Sequence, residues 1–210
     1  PAQCNALTDT PPSACTGRPL CHNRPMSVAD SLATFVDHYL KSSVELVTPY
    51  DASWRSPCES GDPFNRPDQA GELIHWRPVA RHGVDDFRGL EAALDIEVHP
   101  DIKAYFGGFW SAGLEACAPE GQVSLILLWN PEDADRLVEN LIGHALAQRQ
   151  AHAPFSVFFA CTQPQSELFL SVRNDTGQVI LEQPGRTPLR VVSETLAQFI
   201  DCLTPAPNGP

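Results

Sequence analysis

Basic side chains are scarce in this 210-residue chain: 14 Lys+Arg stand against 26 Asp+Glu, for a formal net charge of −12. Such a field repels phosphate backbones and argues against nucleic-acid binding, while it draws in basic partner surfaces. Long apolar runs are missing as well. The longest stretch free of Asp, Glu, Lys and Arg is 150–166, and it includes His152, several Gln and two Pro. A bilayer crossing takes about 20 mostly apolar residues, so no transmembrane segment is expected. Cys-x-x-Cys is absent, and Cys58, Cys117, Cys161 and Cys202 lie at least 40 residues apart. That spacing does not fit a dense disulfide scaffold and suggests reduced thiols. Gly-x-Gly-x-x-Gly, the P-loop, Gly-x-Ser-x-Gly and His-Glu-x-x-His are all missing, which points away from an enzyme. His75, His82 and His99 share no zinc-ligand spacing, so no metal and no other cofactor is expected.

Proline, in contrast, is abundant, with 20 residues. Residues 1–25 hold five Pro and three of the seven Cys without apolar periodicity, and the only methionine, Met26, follows directly. No apolar core of a secretory signal is visible there. Residues 1–25 are therefore expected to be a disordered or non-native extension, 26–204 the folded domain and 205–210 a flexible tail. Removing the extension's one Asp and two Arg leaves 25 acids against 12 bases, a net −13. The acidic part is the part with folding signals.

Apolar residues at three- and four-residue steps predict a helix over 28–41, with Ser27 and Asp30 as its capping box. Residues 48–71 carry four Pro and read as a long loop, and 72–77 as a short strand. A short helix over 85–94 opens with two carboxylates, and a second starts at Pro100 and ends at Gly107-Gly108. Residues 113–118 and 122–129 predict a hairpin around Pro119-Glu-Gly. The clearest helix is 131–150: Asn130 caps it, Pro131 takes the first turn, and Ala134, Leu137, Val138, Leu141, Ile142, Ala145 and Leu146 form its core stripe. Strands follow over 155–161, 167–173 and 178–182, and Ser193 is placed to cap a closing helix. Helices and strands segregate more than they alternate. The expected fold is a single α+β domain with a central, mostly antiparallel sheet and helices packed on it.

Three features could carry chemistry. His144 sits on the flank of the 131–150 stripe beside Gly143, where a locally bonded histidine and a glycine receiving a neighbouring backbone outweigh a general base. Cys161 ends an apolar strand and reads as a buried, inert thiol. The acids cluster between Asp85 and Asp101 and again between Glu115 and Glu139. Gathered in a concavity they would capture a cationic partner, and scattered they would serve as a solvated face.

The run 129–144, Trp-Asn-Pro-Glu-Asp-Ala-Asp-Arg-Leu-Val-Glu-Asn-Leu-Ile-Gly-His, resembles the signature helix of the Syd family of SecY-interacting proteins. Leu90–Tyr105, Ser56-Pro57-Cys58, 73–78 and 168–203 fit the same family and the wider SUKH superfamily, covering roughly 26–205. The resemblance implies a SUKH-like fold and a non-enzymatic acidic adaptor. Such an adaptor is peripheral to the cytoplasmic side of the bacterial inner membrane and also soluble in the cytoplasm. It binds basic cytoplasmic loops of the SecY translocon and is linked to checking that channel's assembly. By match to the motif, Glu91, Asp95, Glu132, Asp133 and Glu139 are the partner-binding candidates, while Asn140, Gly143 and His144 are expected to be structural. The alternatives are a SUKH-type immunity module facing another basic protein, and a small hydrolase using His144.

Overall fold

The computed structural model describes residues 26–42, 45–60, 71–82, 87–162 and 167–206. The expected extension 1–25 and the acids Asp85 and Asp86 lie outside the described residues. Within them the fold is α+β, with an antiparallel sheet and helices on both of its faces.

Helix α1 (Val28–Ser42) starts behind Ser27, whose Oγ accepts the Asp30 N–H at 3.2 Å and donates to the Asp30 carboxylate at 2.7 Å. Its buried stripe is Val28, Leu32, Phe35, Val36 and Tyr39, as the periodicity predicts. Two short antiparallel pairs follow, β1 (Val47–Pro49) with β2 (Leu73–His75), and β3 (Val79–Ala80) with β4 (Phe109–Trp110). Between β3 and β4 run α2 (Arg88–Leu94) and α3 (Pro100–Phe106). His99 caps α3: its Nδ1 accepts the Asp101 N–H at 3.2 Å, and Pro100 stands in the first turn.

The main sheet has the order β10-β9-β8-β7-β6-β5-β11. Its strands are β5 (Leu114–Ala118), β6 (Gly121–Leu125), β7 (Ser156–Cys161), β8 (Phe169–Arg173), β9 (Val179–Glu182), β10 (Arg190–Ser193) and β11 (Thr204–Pro205). The register Leu125↔Ala160↔Leu170↔Leu181 aligns apolar side chains on one face, and Ser124↔Cys161↔Phe169↔Glu182 aligns the other. A bulge between Phe158 and Ala160 shifts β7 across this boundary and turns Phe159 toward Tyr105 and Phe199.

Helix α4 (Pro131–Gln150) covers the second face, and α2 packs beside it. The first face is covered by α5 (Leu196–Asp201), which packs on α1. The closing helix is capped by Thr195, whose Oγ1 accepts the Gln198 N–H at 3.2 Å; Ser193 instead ends β10 and donates to Thr195 O at 3.0 Å. Ala206 N–H donates to Glu115 O, so main-chain pairing runs past residue 204.

One turn locks two distant segments. Asn174 Oδ1 accepts the His99 N–H at 2.9 Å, and Asn174 Nδ2 donates to Glu97 O at 2.8 Å. Gly177, at φ +73°, lets this turn press on the His99 ring, because a Cβ there would lie 2.8 Å from two ring atoms.

Candidate functional site

The start of α4 is built from the resemblance's own residues. Asn130 is 1% exposed and extended, and its Oδ1 accepts the Asp133 N–H at 2.8 Å. Asp133 Oδ2 in turn accepts the Trp129 N–H at 2.9 Å, a reciprocal cap that satisfies two otherwise unpaired donors. The same residues hold a loop. Asn130 Nδ2 donates to Arg55 O at 2.9 Å, Trp129 Nε1 donates to Trp54 O at 3.1 Å, and Ser56 Oγ donates to Trp129 O. Trp129 meets Trp76 edge-on with centroids 5.8 Å apart, and Arg55 forms a salt bridge with Glu59 in the same loop.

The five acidic candidates divide by what their carboxylates touch. Asp133 is occupied by the cap just described. Glu91 Oε1 accepts the Val98 N–H at 2.8 Å and pairs with Lys103 at 2.8 Å, so it closes the chain between α2 and α3. Asp95, Glu132 and Glu139 are exposed. Asp95 ends α2 in the left-handed region, at φ 53°, with its N–H on Glu91 O. Arg149 reaches from the last turn of α4 to Leu94 O at 3.4 Å, which places the end of α2 beside the far end of α4. At 1.5 Å per residue, Asp95 and Glu132 are therefore separated by roughly 25 Å along that helix.

The solvent face of α4 adds Asp135, an acid of the 115–139 cluster that is not among the five motif-matched candidates. Glu132, Asp135 and Glu139 follow one another at three- and four-residue steps, all exposed, and none forms an ion pair among the described residues. Arg136, between them, lies over the Trp54 ring at 4.0 Å, which anchors its charge to the loop. The stripe continues with Gly143 and Leu146. Leu146 is 51% exposed rather than part of the core stripe, and a Cβ at Gly143 would meet nothing within 4 Å. The expected neighbouring backbone at Gly143 is therefore absent among the described residues, and helical periodicity cannot tell this flank from the buried one because Leu146 borders both.

His144 lies on the sheet side. Its ring meets Phe158 and Phe169 edge-on, with centroids 5.6 and 5.7 Å away, and its Nε2 is 3.9 Å from Glu182. Burial holds the imidazole below its ordinary pKa, while the Glu182 charge acts in the opposite direction. Glu182 is buried and accepts from Ser156 Oγ at 2.6 Å and Gln148 Nε2 at 3.2 Å. The sequence did signal this network: Gln148 is a polar residue on the apolar side of the helix, one turn after His144.

Among the described residues no group of three or more His, Cys, Asp or Glu could hold a metal ion. Cys161 is exposed, not buried, since it falls on the last pleat of β7. Partial desolvation and the Glu115 charge push its thiol up, opposite to what activation needs. Cys58 and Cys161 are free, whereas Cys117 is disulfide-bonded, a departure from the fully reduced set that the spacing suggests.

Two hollows stand away from the five candidates and from His144. One, of about 340 Å³, is lined by Leu40, Leu46, Trp76 and neighbours. The other, of about 320 Å³, lies between the β5–β6 hairpin, β8 to β10 and α5. No described helix is long and apolar enough to cross a membrane.

The sequence model of the Syd protein family (SUKH-2) matches residues 28–205. The chain belongs to the Syd family. A Protein Syd of Pseudoalteromonas atlantica is 37% identical over 156 residues, covering 74% of this chain and 82% of the relative. One of Alteromonas mediterranea is 34% identical over 182 residues, covering 86% and 97%. One of Colwellia psychrerythraea is 34% identical over 192 residues, covering 85% and 92%. In this Syd chain the signature run 129–144 spans both the loop-fastening cap and the histidine on the sheet, with three exposed acids of α4 between or beside them.

Proposed function

We propose that this Syd-family chain is a non-enzymatic adaptor that docks on Lys- and Arg-rich cytoplasmic loops of SecY. It does so from the cytoplasmic face of the inner membrane and takes part in checking the channel's assembly. The observation that carries the reading is the carboxylate row Glu132, Asp135 and Glu139 on the exposed face of α4, without an ion pair among the described residues, in a chain of net charge −12. Cytoplasmic loops of membrane proteins are enriched in cations, which gives the row its complement. Of the five motif-matched acids, Asp95, Glu132 and Glu139 are the contact residues in this reading. Glu91 and Asp133 serve it by fixing the backbone from which the others project.

The test is flotation of the purified chain with SecY-containing inner-membrane vesicles at rising salt. Binding is expected to fall steeply, because exposed charges more than about 8 Å apart are screened at physiological ionic strength. A contact between unit charges at 4 Å in water contributes about 1 kcal/mol, so combining Glu132→Lys with Glu139→Lys should weaken binding about tenfold or more. Both positions are exposed, which keeps the fold intact, whereas Asp133→Lys would also destroy the cap. Binding that ignores both salt and the double reversal overturns the proposal.

A further inference from the structure

The 320 Å³ hollow lies where the sheet curls until its ends approach each other. Glu120, in the β5–β6 turn, forms a salt bridge with Arg190 on β10, four strands away in the sheet order. Both side chains are about half exposed, and surface pairs of this kind contribute about 1 kcal/mol or less. Behind the bridge the walls are apolar: Val123, Leu170, Leu181, Val192 and Phe199. The volume falls at the lower end of the 300–1,000 Å³ range of small ligand sites, enough for one or two aliphatic side chains.

Three observations define the occupant. No strand pairs the outer side of β10 among the described residues, so an extended segment has main-chain groups to meet there. Leu189 and Val191, two of the six large apolar residues exposed in the described fold, stand at this same edge. Finally, Glu120 is the acid among the described lining residues, held by Arg190 in an exposed bridge, in a chain of net charge −12. A segment bringing its own cation can take Arg190's place on Glu120, while an anionic one is repelled by the chain's overall charge.

We infer that the slot between β10 and the β5–β6 hairpin is a second docking site, distinct from the α4 face. It takes an extended partner segment that seats an aliphatic side chain in the hollow and lays an adjacent Lys or Arg on Glu120. The pairing is strand addition at an open edge with a side-chain pocket beside it.

The probe is a fluorescein-labelled peptide of alternating Leu and Lys, titrated against the full chain by anisotropy. Controls replace every Leu by Ser, or every Lys by Glu. Cys202, which lines the hollow, reports occupancy through mass-mapped alkylation. The Leu/Lys peptide should bind at least tenfold tighter than either control and slow Cys202 alkylation. Glu120→Gln should weaken it several-fold. Gln198→Trp, on an exposed lining position of α5, should block it, while Gln198→Ala retains binding and shows that the position is not needed for folding. Equal binding of the Leu and Ser peptides, tighter binding of the Glu peptide, or binding that leaves Cys202 alkylation unchanged overturns the inference. None of these arms uses SecY membranes, so failure here leaves the α4 reading standing.

Discussion

Replacing Asn130 by Ala removes two hydrogen bonds that the chain cannot rebuild. The first is the cap on the Asp133 N–H at 2.8 Å, and losing such a cap costs about 1 kcal/mol. The second is the bond from Nδ2 to Arg55 O at 2.9 Å. Asn130 is 1% exposed, so water reaches that carbonyl poorly and the loss adds about 1–2 kcal/mol. Together these give about 2–3 kcal/mol, which for a domain of this size lowers Tm by roughly 5–10 °C. Urea denaturation followed by tryptophan fluorescence is the assay. Trp54, Trp76 and Trp129 all stand at the junction that the substitution loosens. Asn130→Ala combined with Asp133→Ala should be less destabilising than the sum of the two, because each side chain supports the same turn. A loss below about 0.5 kcal/mol, or full additivity, would refute the reciprocal cap as the device that starts α4.

Three further expectations follow. Gly177→Ala should destabilise by about 1–3 kcal/mol, read from the urea midpoint, because the new Cβ would lie 2.8 Å from the His99 ring at a positive φ; an unchanged midpoint would sink the clamp between residues 97–99 and 174–177. Gly143→Ala has open space and a helical backbone, so it should stabilise by about 1 kcal/mol, while any weakening of vesicle binding would mark Gly143 as a point of close approach. Burial depresses the imidazole of His144, so the unfolded chain takes up a proton near pH 6.5 that the folded chain refuses. Stability should therefore decline as pH drops from about 7 through the folded pKa, then level off. His144→Asn should flatten that part of the Tm–pH curve, and parallel curves for the two proteins would contradict the assignment.

Much of the fold could be read from local rules. The Ser27–Asp30 box, Pro100, the Asn130–Pro131 start and the apolar steps of α1 and α4 each specify structure within a few residues of themselves, and all appear in the fold. Misjudged positions were those decided at a distance. Strand β10 is short and follows Pro188, so its sequence carries no alternation long enough to notice. Leu146 satisfies the helical period but lies just beyond the edge of what the sheet covers. Asp133 and Glu132 are adjacent acids with opposite fates, and the Trp129 N–H separates the capping role from the exposed one. The Glu120–Arg190 bridge joins residues 70 positions apart, which no motif announces.

The two margins of the main sheet differ in a way that affects any experiment on this molecule. Strand β11 is two residues long and ends in Pro205, which has no amide proton to offer, and it contacts α1. Strand β10 has no proline within its bounds and, among the described residues, no strand on its outer side, so a second copy of the chain can add there. In dilute buffer the mutual repulsion of molecules that each carry −12 opposes such stacking. Concentrated electrolyte removes that guard along with the attraction proposed for a cationic partner. Light scattering therefore belongs beside every salt titration, since homotypic growth along β10 would otherwise pass for release from the membrane.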